Sequence, residues 1–534
     1  MGVNNSSSSK IKRIGLIISS LDVTKHELDF IESCSVEPLI DLKLLEIKKT
    51  GSKNFDIRKL SWGIINVFER IKFYFSSYSN HLRKYNLEKK VLLKEIVLYK
   101  ISLSKCGELI NHDFDSLISF DYRFDFQEIQ KLIRADLIFF YKGLSFLPKN
   151  ILIGFDEILN SKSSSTFSIL KARKEDGNLE VLLEGSFVSS LYFLSNQANI
   201  FERRNYYLLQ LLNGSMFTND IPSQPNWLSI NSLNNVLREP SLKDQLSYLK
   251  KIISSLFSLF HRFIIGKKIS WKVFYSNDKW TDLDCNNHES LPNPRNGYLA
   301  DPFILNHEGR NIVFVERFDF KDGKGKIAAY EIGNFSPKNL GIVIEEDFHL
   351  SYPYIFKNDN NIYLIPESSQ NKDVRLYECE SFPNKWKLKS IILHDVSAAD
   401  SMILKSKGKW WLLTNLNPSN HSDHCSELFI FSSNDLLNGP WVPHVNNPIF
   451  LDPANARNGG IIVDEDIIYR VSQKQGYGVY GQNIQINKIL ELNDQNYAEE
   501  IMSKDHGINI RNTEQSHHLH TNSTYSVYDK WDLT

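Results

Sequence analysis

The chain has 534 residues, with 62 Lys and Arg against 63 Asp and Glu, a net charge of −1; 42 % of residues are hydrophobic and 23 % charged. That composition excludes a chain disordered throughout, and the balanced charge leaves no basic footprint for nucleic acid. No uninterrupted run of about 18 apolar residues is present, so no membrane-spanning helix is expected.

In chain order, residues 1–12 read as a disordered lead-in, polar and rich in serine. Residues 13–20 read as a buried strand, 27–34 and 60–106 as helix-prone, and 115–120 and 137–141 as further short apolar strands. In the second helix-prone stretch Ile64, Ile65, Phe68, Ile71 and Phe75 recur mainly at three and four. Helices alternating with short strands predict an α/β domain with a mostly parallel sheet over residues 13–215. Residues 166–170 and 180–184 flank Asp176-Gly177, a hairpin signal, and a helix is expected at 195–212.

Residues 216–269 hold a Pro- and Asn-rich linker followed by an amphipathic helix, capped by Ser241. Leu242, Leu246, Leu249, Ile253, Leu256, Phe260 and Phe263 form its apolar stripe, with Lys243, Lys250, Lys251, His261, Arg262, Lys267 and Lys268 around it. Two readings stay open: a connecting helix that packs its stripe on a domain, or a peripheral membrane contact through residues 242–268. The polar start of the chain and the five dispersed cysteines predict a cytoplasmic protein without disulfides.

From residue 270 to 534 the pattern becomes short strands separated by Gly, Asn and Asp turns. One unit recurs, beginning at Asp301, Tyr352, Asp400 and Asn458, starts that are 51, 48 and 58 residues apart. A strand–turn–strand unit at this period predicts a β-propeller. Five blades are expected, the fifth joining the residues after His517 to the strand Ser270–Tyr275, which removes exposed sheet edges.

First strands of blades line the channel, so Asp301, Tyr352, Asp400, Arg457, Asn458 and His518 or His520 are expected to converge, with Glu316 and Glu367 near the same mouth. Two carboxylates facing one bond are the minimum for glycosidic chemistry. Asp301, Asp400 and Glu367 are the catalytic candidates; Tyr352, Arg457, Asn458, Glu316, Arg470 and His520 are the substrate-binding candidates. His421, His424 and Cys425 lack a fourth ligand at matching spacing, so no metal and no cofactor is expected.

Tyr298-Leu-Ala-Asp-Pro-Phe303, Ser351-Tyr-Pro-Tyr354, Ile365-Pro-Glu-Ser368, Lys409-Trp-Trp-Leu412 and Tyr469-Arg470 resemble the propeller forming the N-terminal part of plant glucosamine inositolphosphorylceramide transferases, and bacterial proteins of surface-polysaccharide gene regions. That propeller is similar in turn to five-bladed glycosidases of the arabinanase and xylosidase type. The resemblance implies a general-base role for Asp301 and a tuning role for Asp400. It implies a blade-four Glu acid as well, where this chain reads Arg457-Asn-Gly-Gly460, leaving Glu367 as a replacement. No counterpart of the plant enzymes' separate transferase domain is evident.

Residues 13–212 resemble formyltransferase-like domains at Asp115–Phe120, Gly154–Leu159 and Asp176-Gly177. Asp176 matches those enzymes' Asp, whereas the strand that carries their Asn and His reads Phe139-Phe-Tyr-Lys-Gly143, so the site is expected to be vestigial. The expected fold is therefore multidomain, an α/β formyltransferase-like N-terminal domain plus a C-terminal five-bladed β-propeller. The expected function is a carbohydrate-active protein of cell-surface glycan biosynthesis, acting on a sugar or activated sugar. The alternatives are a non-catalytic glycan-binding or scaffold protein and a sugar N-formyltransferase.

Overall fold

The computed structural model describes residues 11–47, 57–72, 81, 83–89, 96–101, 114–120, 135–141, 152–173, 179–214, 240–265, 269–286, 288–418 and 423–533. The chain divides into two units, Met1–Leu256 and Phe257–Thr534.

The first unit is built on seven strands: β1 (Lys12–Ile18), β2 (Ile40–Ile47), β3 (Leu98–Ile101), β4 (Ser116–Ser119), β5 (Asp136–Tyr141), β6 (Ser164–Ala172) and β7 (Leu179–Val188). Their order is β3-β2-β1-β4-β5-β6-β7. The first five are parallel; β6 pairs antiparallel with both β5 and β7, making the unit mixed α/β. The interior strand β1 buries Ile14, Leu16, Ile17 and Ile18, as expected of a strand covered on both faces.

Four helices matter here: α1 (Lys25–Val36), α2 (Ile57–Lys72), α3 (Phe193–Asn213) and α4 (Leu242–Ile265). Thr24 and Glu27 form a capping box at the start of α1. The first amides of α3 find unusual partners. Phe193 N–H donates to the Tyr248 hydroxyl of α4, and Leu194 N–H to Glu69 Oε2 of α2, both at 2.8 Å. A helix start leaves such amides unsatisfied, and a carboxylate there also complements the helix dipole. Tyr248 also donates to Glu69, and Trp62, Ile65, Phe155, Ile158, Phe193, Leu194 and Tyr248 close a small core around the junction.

The helix expected across 60–106 is shorter. α2 ends at Lys72, and Lys84–Asn86 and Leu98–Ile101 are strands, the second pairing with β2 to complete the parallel sheet. Strand β2 itself, absent from the sequence reading, buries Leu44, Leu45 and Ile47. The Asp176-Gly177 turn and most of the linker lie outside the described residues.

The second unit is a five-bladed propeller. Blades one to four begin on inner strands Gly297–His307, Ser351–Asn358, Ala398–Ser406 and Asn458–Asp464. Blade five takes Leu519–Thr521 and Ser526–Leu533 from the late sequence, and Ile269–Ser276 and Glu289–Ser290 from the early sequence. Ile269–Ser276 pairs along its whole length with Ser526–Leu533. This is the closure expected from the two sequence ends, and it hides the edges of the terminal strands.

One irregularity recurs in blades one to four. Each inner strand carries one residue more than its partner over the same span: between Ala300 and Phe303, Ser351 and Tyr354, Ala399 and Met402, and Asn458 and Gly460. These bulges coincide with positive φ angles at Asp301 (51°), Tyr352 (45°), Asp400 (46°) and Gly460 (133°). A bulge re-aims a side chain, and holding a residue other than glycine there costs on the order of 1–3 kcal/mol. The second strands place Glu316 opposite Ala300, Glu367 opposite Ser351 and Asn415 opposite Ala399, beside each bulge.

Candidate functional site

The bulges gather a charged cluster at the propeller centre. Arg457 Nε lies 2.5 Å from Asp400 Oδ2, and its Nη2 lies 3.7 Å from Glu367 Oε2. The Nε–H is not aligned on Asp400, so that contact is ionic rather than a hydrogen bond. Gln473 Nε2 donates to Asp400 Oδ2 at 3.0 Å. The ring of Tyr480 stands beside the guanidinium, its centroid 5.9 Å from the central carbon.

On the other side, His517 bridges two carboxylates, with Nδ1 2.7 Å from Asp529 Oδ1 and Nε2 3.2 Å from Asp301 Oδ1. The imidazole stacks on Trp271, ring centroids 3.8 Å apart. Asp301 is held by its own backbone too: its N–H donates to Asp529 Oδ2 at 2.9 Å, and its Oδ2 accepts the Tyr352 N–H at 3.1 Å. Glu316 Oε1 lies 3.4 Å from His349 Nε2 and has no hydrogen-bond partner among the described residues. Gly325 makes room for it: a Cβ there would stand 2.7 Å from Glu316 Oε1 and 2.5 Å from the Leu350 carbonyl oxygen.

These surroundings separate the carboxyl groups. Burial pushes Asp301 upward, but hydrogen bonding and the charge of His517 more than offset it and hold the carboxyl below its ordinary range. Burial lowers His517, and the charge of Asp529 with the bond to Asp301 outweighs that, raising the imidazole to about 10. Glu316 goes the opposite way: burial, then the charges of Asp301 and Glu367, push it well above the carboxylate range. Burial raises Asp400 as well, against the pull of Arg457 and with the push of Glu367 and Asp301. One ionised and one protonated carboxyl in a single cluster is the arrangement acid–base chemistry requires.

Asp301, His517 and Asp529 also have the disposition of a metal triad, their ligand atoms lying within 4.8 Å of one another. An imidazolium spanning both carboxylates has a proton on each nitrogen and no lone pair to offer an ion. The cluster as arranged is a hydrogen-bonded relay.

Of the sequence-predicted residues, Asp301, Asp400, Glu367, Glu316, Tyr352 and Arg457 meet in this cluster. Asn458 is fully buried, its Nδ2 donating to the backbone carbonyls of Asp400 and Leu413, so it ties adjacent blades. Arg470 is also fully buried, paired to Glu499 at 2.6 Å and donating to the Asn455 carbonyl, a structural pair of blade four rather than a ligand contact. His520 accepts the Ile304 N–H through Nδ1, packs on Phe303, and is lowered by burial to about 4. Its neighbour His517 takes the place expected of it. Asp176 and His421 lie outside the described residues; His424 pairs with Ser397.

His517 and Asp529 are the residues that sequence reasoning missed. A signal existed: Asp529 sits on the second strand of blade five, where blades one and two carry Glu316 and Glu367.

Residues 279–531 match the family described as "Glucosamine inositolphosphorylceramide transferase 1, N-terminal". Glucosamine inositolphosphorylceramide transferase 1 of Oryza sativa subsp. japonica is 34 % identical over 207 residues, 38 % of this chain and 27 % of that protein. Its namesake in Arabidopsis thaliana is 33 % identical over 209 residues, with the same coverage. The chain thus spans about a quarter of these relatives' length. Among solved structures, an exo-β-1,3-galactanase from Clostridium thermocellum aligns with a TM-score of 0.33 and 12 % identity, over 45 % of this chain and 61 % of that one. A family 117 glycoside hydrolase from Zobellia galactanivorans aligns with a TM-score of 0.32 and 13 % identity, over 49 % and 91 %. The propeller resembles the N-terminal part of the plant transferases.

Proposed function

We propose that the propeller centre transfers a glycosyl group in the biosynthesis of a surface glycan or glycolipid, using a lipid- or nucleotide-linked sugar. The observation that carries this reading is the buried cluster itself, in which His517 and the Tyr352 N–H hold Asp301 while Glu316 Oε1 has no hydrogen-bond partner among the described residues; the first setting favours an ionised carboxyl and the second a protonated one. Asp301 takes the proton of the acceptor hydroxyl as its oxygen bonds the anomeric carbon. The bond from that carbon to the leaving oxygen breaks, and Glu316 supplies the proton that oxygen needs. His517 keeps Asp301 ionised and oriented, while Arg457 balances Asp400 and Glu367 and suits a phosphate on the donor. The likeness of residues 279–531 to the plant proteins supports sugar chemistry as the setting.

One observation favours a second reading, glycan binding without turnover. At the blade-four bulge a Cβ on Gly459 would meet the His517 carbonyl oxygen at 2.7 Å, and one on Gly460 the Leu519 carbonyl oxygen at 2.2 Å. A side-chain acid has no space at these two positions, so neither of them supplies one. In the first unit the formyltransferase-like reading draws support from the mostly parallel sheet, and β5 carries Phe139-Phe-Tyr141 where active enzymes need a His; the reading is of a vestigial site.

The test incubates the purified chain with activated sugars and inositolphosphoryl-lipid acceptors and follows products by mass spectrometry. Product with the native chain and none with Asp301→Asn supports transfer. Sugar-dependent thermal stabilisation of both, without product from either, establishes the binding reading instead.

A further inference from the structure

We infer that α2 and α4 form a docking surface for an anionic lipid bilayer. The inference is independent of the chemistry at the propeller centre. Both helices turn one face inward, where Ser61 donates to Gln245 at 2.6 Å and Glu69 and Tyr248 hold the start of α3. The stripe read from the sequence lies elsewhere. Leu242, Leu246, Leu249, Ile253 and Leu256 are exposed, Leu246 to 60 %, while Gln245 and Tyr248 are buried, among the residues of that helix whose burial is described. Within the first unit, these five stripe residues are not part of the buried core.

α2 repeats the pattern. Trp62, Ile65 and Glu69 point inward; Ile64, Val67, Phe68 and Ile71 are exposed on the opposite side, Phe68 to 69 %. With Phe257, ten large apolar side chains are exposed among the described residues of two neighbouring helices, more than the scattered exposure usual for a soluble surface.

Charge identifies the occupant. α2 carries Arg58, Lys59, Arg70 and Lys72 against Glu69 alone, and Glu69 is buried inward. α4 carries Lys243, Lys250, Lys251 and Arg262 against Asp244 alone, which caps its own helix through Ser241. Lys243 and Lys250 are exposed and follow Leu242 and Leu249 directly, so they border the stripe. The rest of the chain is correspondingly acidic, since the total is −1. Apolar stripes bordered by lysine, on helices not long and apolar enough to cross a membrane, suit the interface of an anionic leaflet.

Flotation of the full chain with vesicles tests this, comparing phosphatidylcholine with phosphatidylcholine containing about one-third phosphatidylserine. Each basic residue near such a surface contributes about 1 kcal/mol, so the bound fraction on anionic vesicles is expected to correspond to at least tenfold tighter binding. Lys243→Glu with Lys250→Glu is expected to remove that preference. Leu246→Ser with Ile253→Ser is expected to weaken binding at least fivefold while the melting temperature holds. Absence of binding to both vesicles overturns the inference. So does a dimer, seen by light scattering and lost in Leu246→Ser/Ile253→Ser, in a chain that does not float; that result makes the face a contact between copies. A melting temperature lowered by the serine pair without flotation assigns the stripe to protein packing and overturns the inference too.

Discussion

Asp301 and Asp529 share one imidazole: His517 reaches Asp529 through Nδ1 at 2.7 Å and Asp301 through Nε2 at 3.2 Å. Asp529 also accepts the Asp301 backbone N–H, so the same residue orients both the candidate base and the cation that keeps it charged.

Asp301→Asn keeps an oxygen for the Tyr352 N–H and is expected to melt within a few degrees of the native chain, while turnover falls by about 10²–10⁴-fold. Glycosyl transfer assays beside thermal melts check this. Unchanged turnover would remove Asp301 from the reaction.

Glu316→Gln addresses the acid. With Asp301 depressed and Glu316 raised, the rate of the native chain is expected to fall at low pH as Asp301 takes a proton, and at higher pH as Glu316 loses one. The Gln variant is expected to be slower by about 10²-fold and to lose the alkaline limb only. A pH–rate profile retaining both limbs assigns the acid elsewhere.

The raised imidazole has a consequence for stability. His517 stands near 10 in the fold, against an ordinary value of 6.5, so the folded state holds a proton the unfolded chain releases between these values. Its stabilisation is complete below pH 6.5 and is lost as pH rises toward 10. Urea unfolding of the native chain is expected to lose up to about 1.4 kcal/mol per pH unit from this group across that window. In His517→Gln the slope is expected to flatten; an unchanged slope would show that another group titrates.

Arg457→Met removes the cation beside Asp400, whose carboxyl is already raised by burial and then takes a proton, so a cost of about 1–3 kcal/mol is expected. Arg457→Met combined with Asp400→Leu is expected to recover most of it. A double-mutant cycle by chemical denaturation measures the coupling, and additive costs would mean the two residues do not act as a pair.

At the blade-four bulge, Gly460→Ala places a methyl group 2.2 Å from the Leu519 carbonyl oxygen on a backbone at φ 133°. A loss of about 3 kcal/mol or more is expected by urea denaturation. A loss below 1 kcal/mol would show that blade five yields.

The propeller was legible because its repeat is chemical as well as periodic: Asp301, Tyr352 and Asp400 hold equivalent bulges, and Glu316 and Glu367 equivalent places beside them. Ring closure was legible from strands at the two sequence ends. His517 was not, because three histidines lie within four residues and their side depends on how blade five meets the bulge of blade one. In the first unit, periodicity over-extended α2 past Lys72, since alternating charge in 84–101 hides two short strands. On α4 periodicity placed Leu242, Leu246, Leu249, Ile253 and Leu256 on one face and said nothing of which way that face turned.

The bulges also tie the assembly of the ring to its electrostatics. Asp301 meets Asp529 and His517 beside the seam where Ile269–Ser276 pairs with Ser526–Leu533. Elsewhere in the cluster Arg457 is the positive charge, and it faces Asp400 and Glu367 rather than Asp301. His517, as an imidazolium, sets a positive charge between Asp301 and Asp529 at that seam. Of the groups that meet at this seam, Asp529 sits on a closing strand and His517 on the segment just before Leu519–Thr521, so closure of the ring and pairing of the candidate base share one place in the fold.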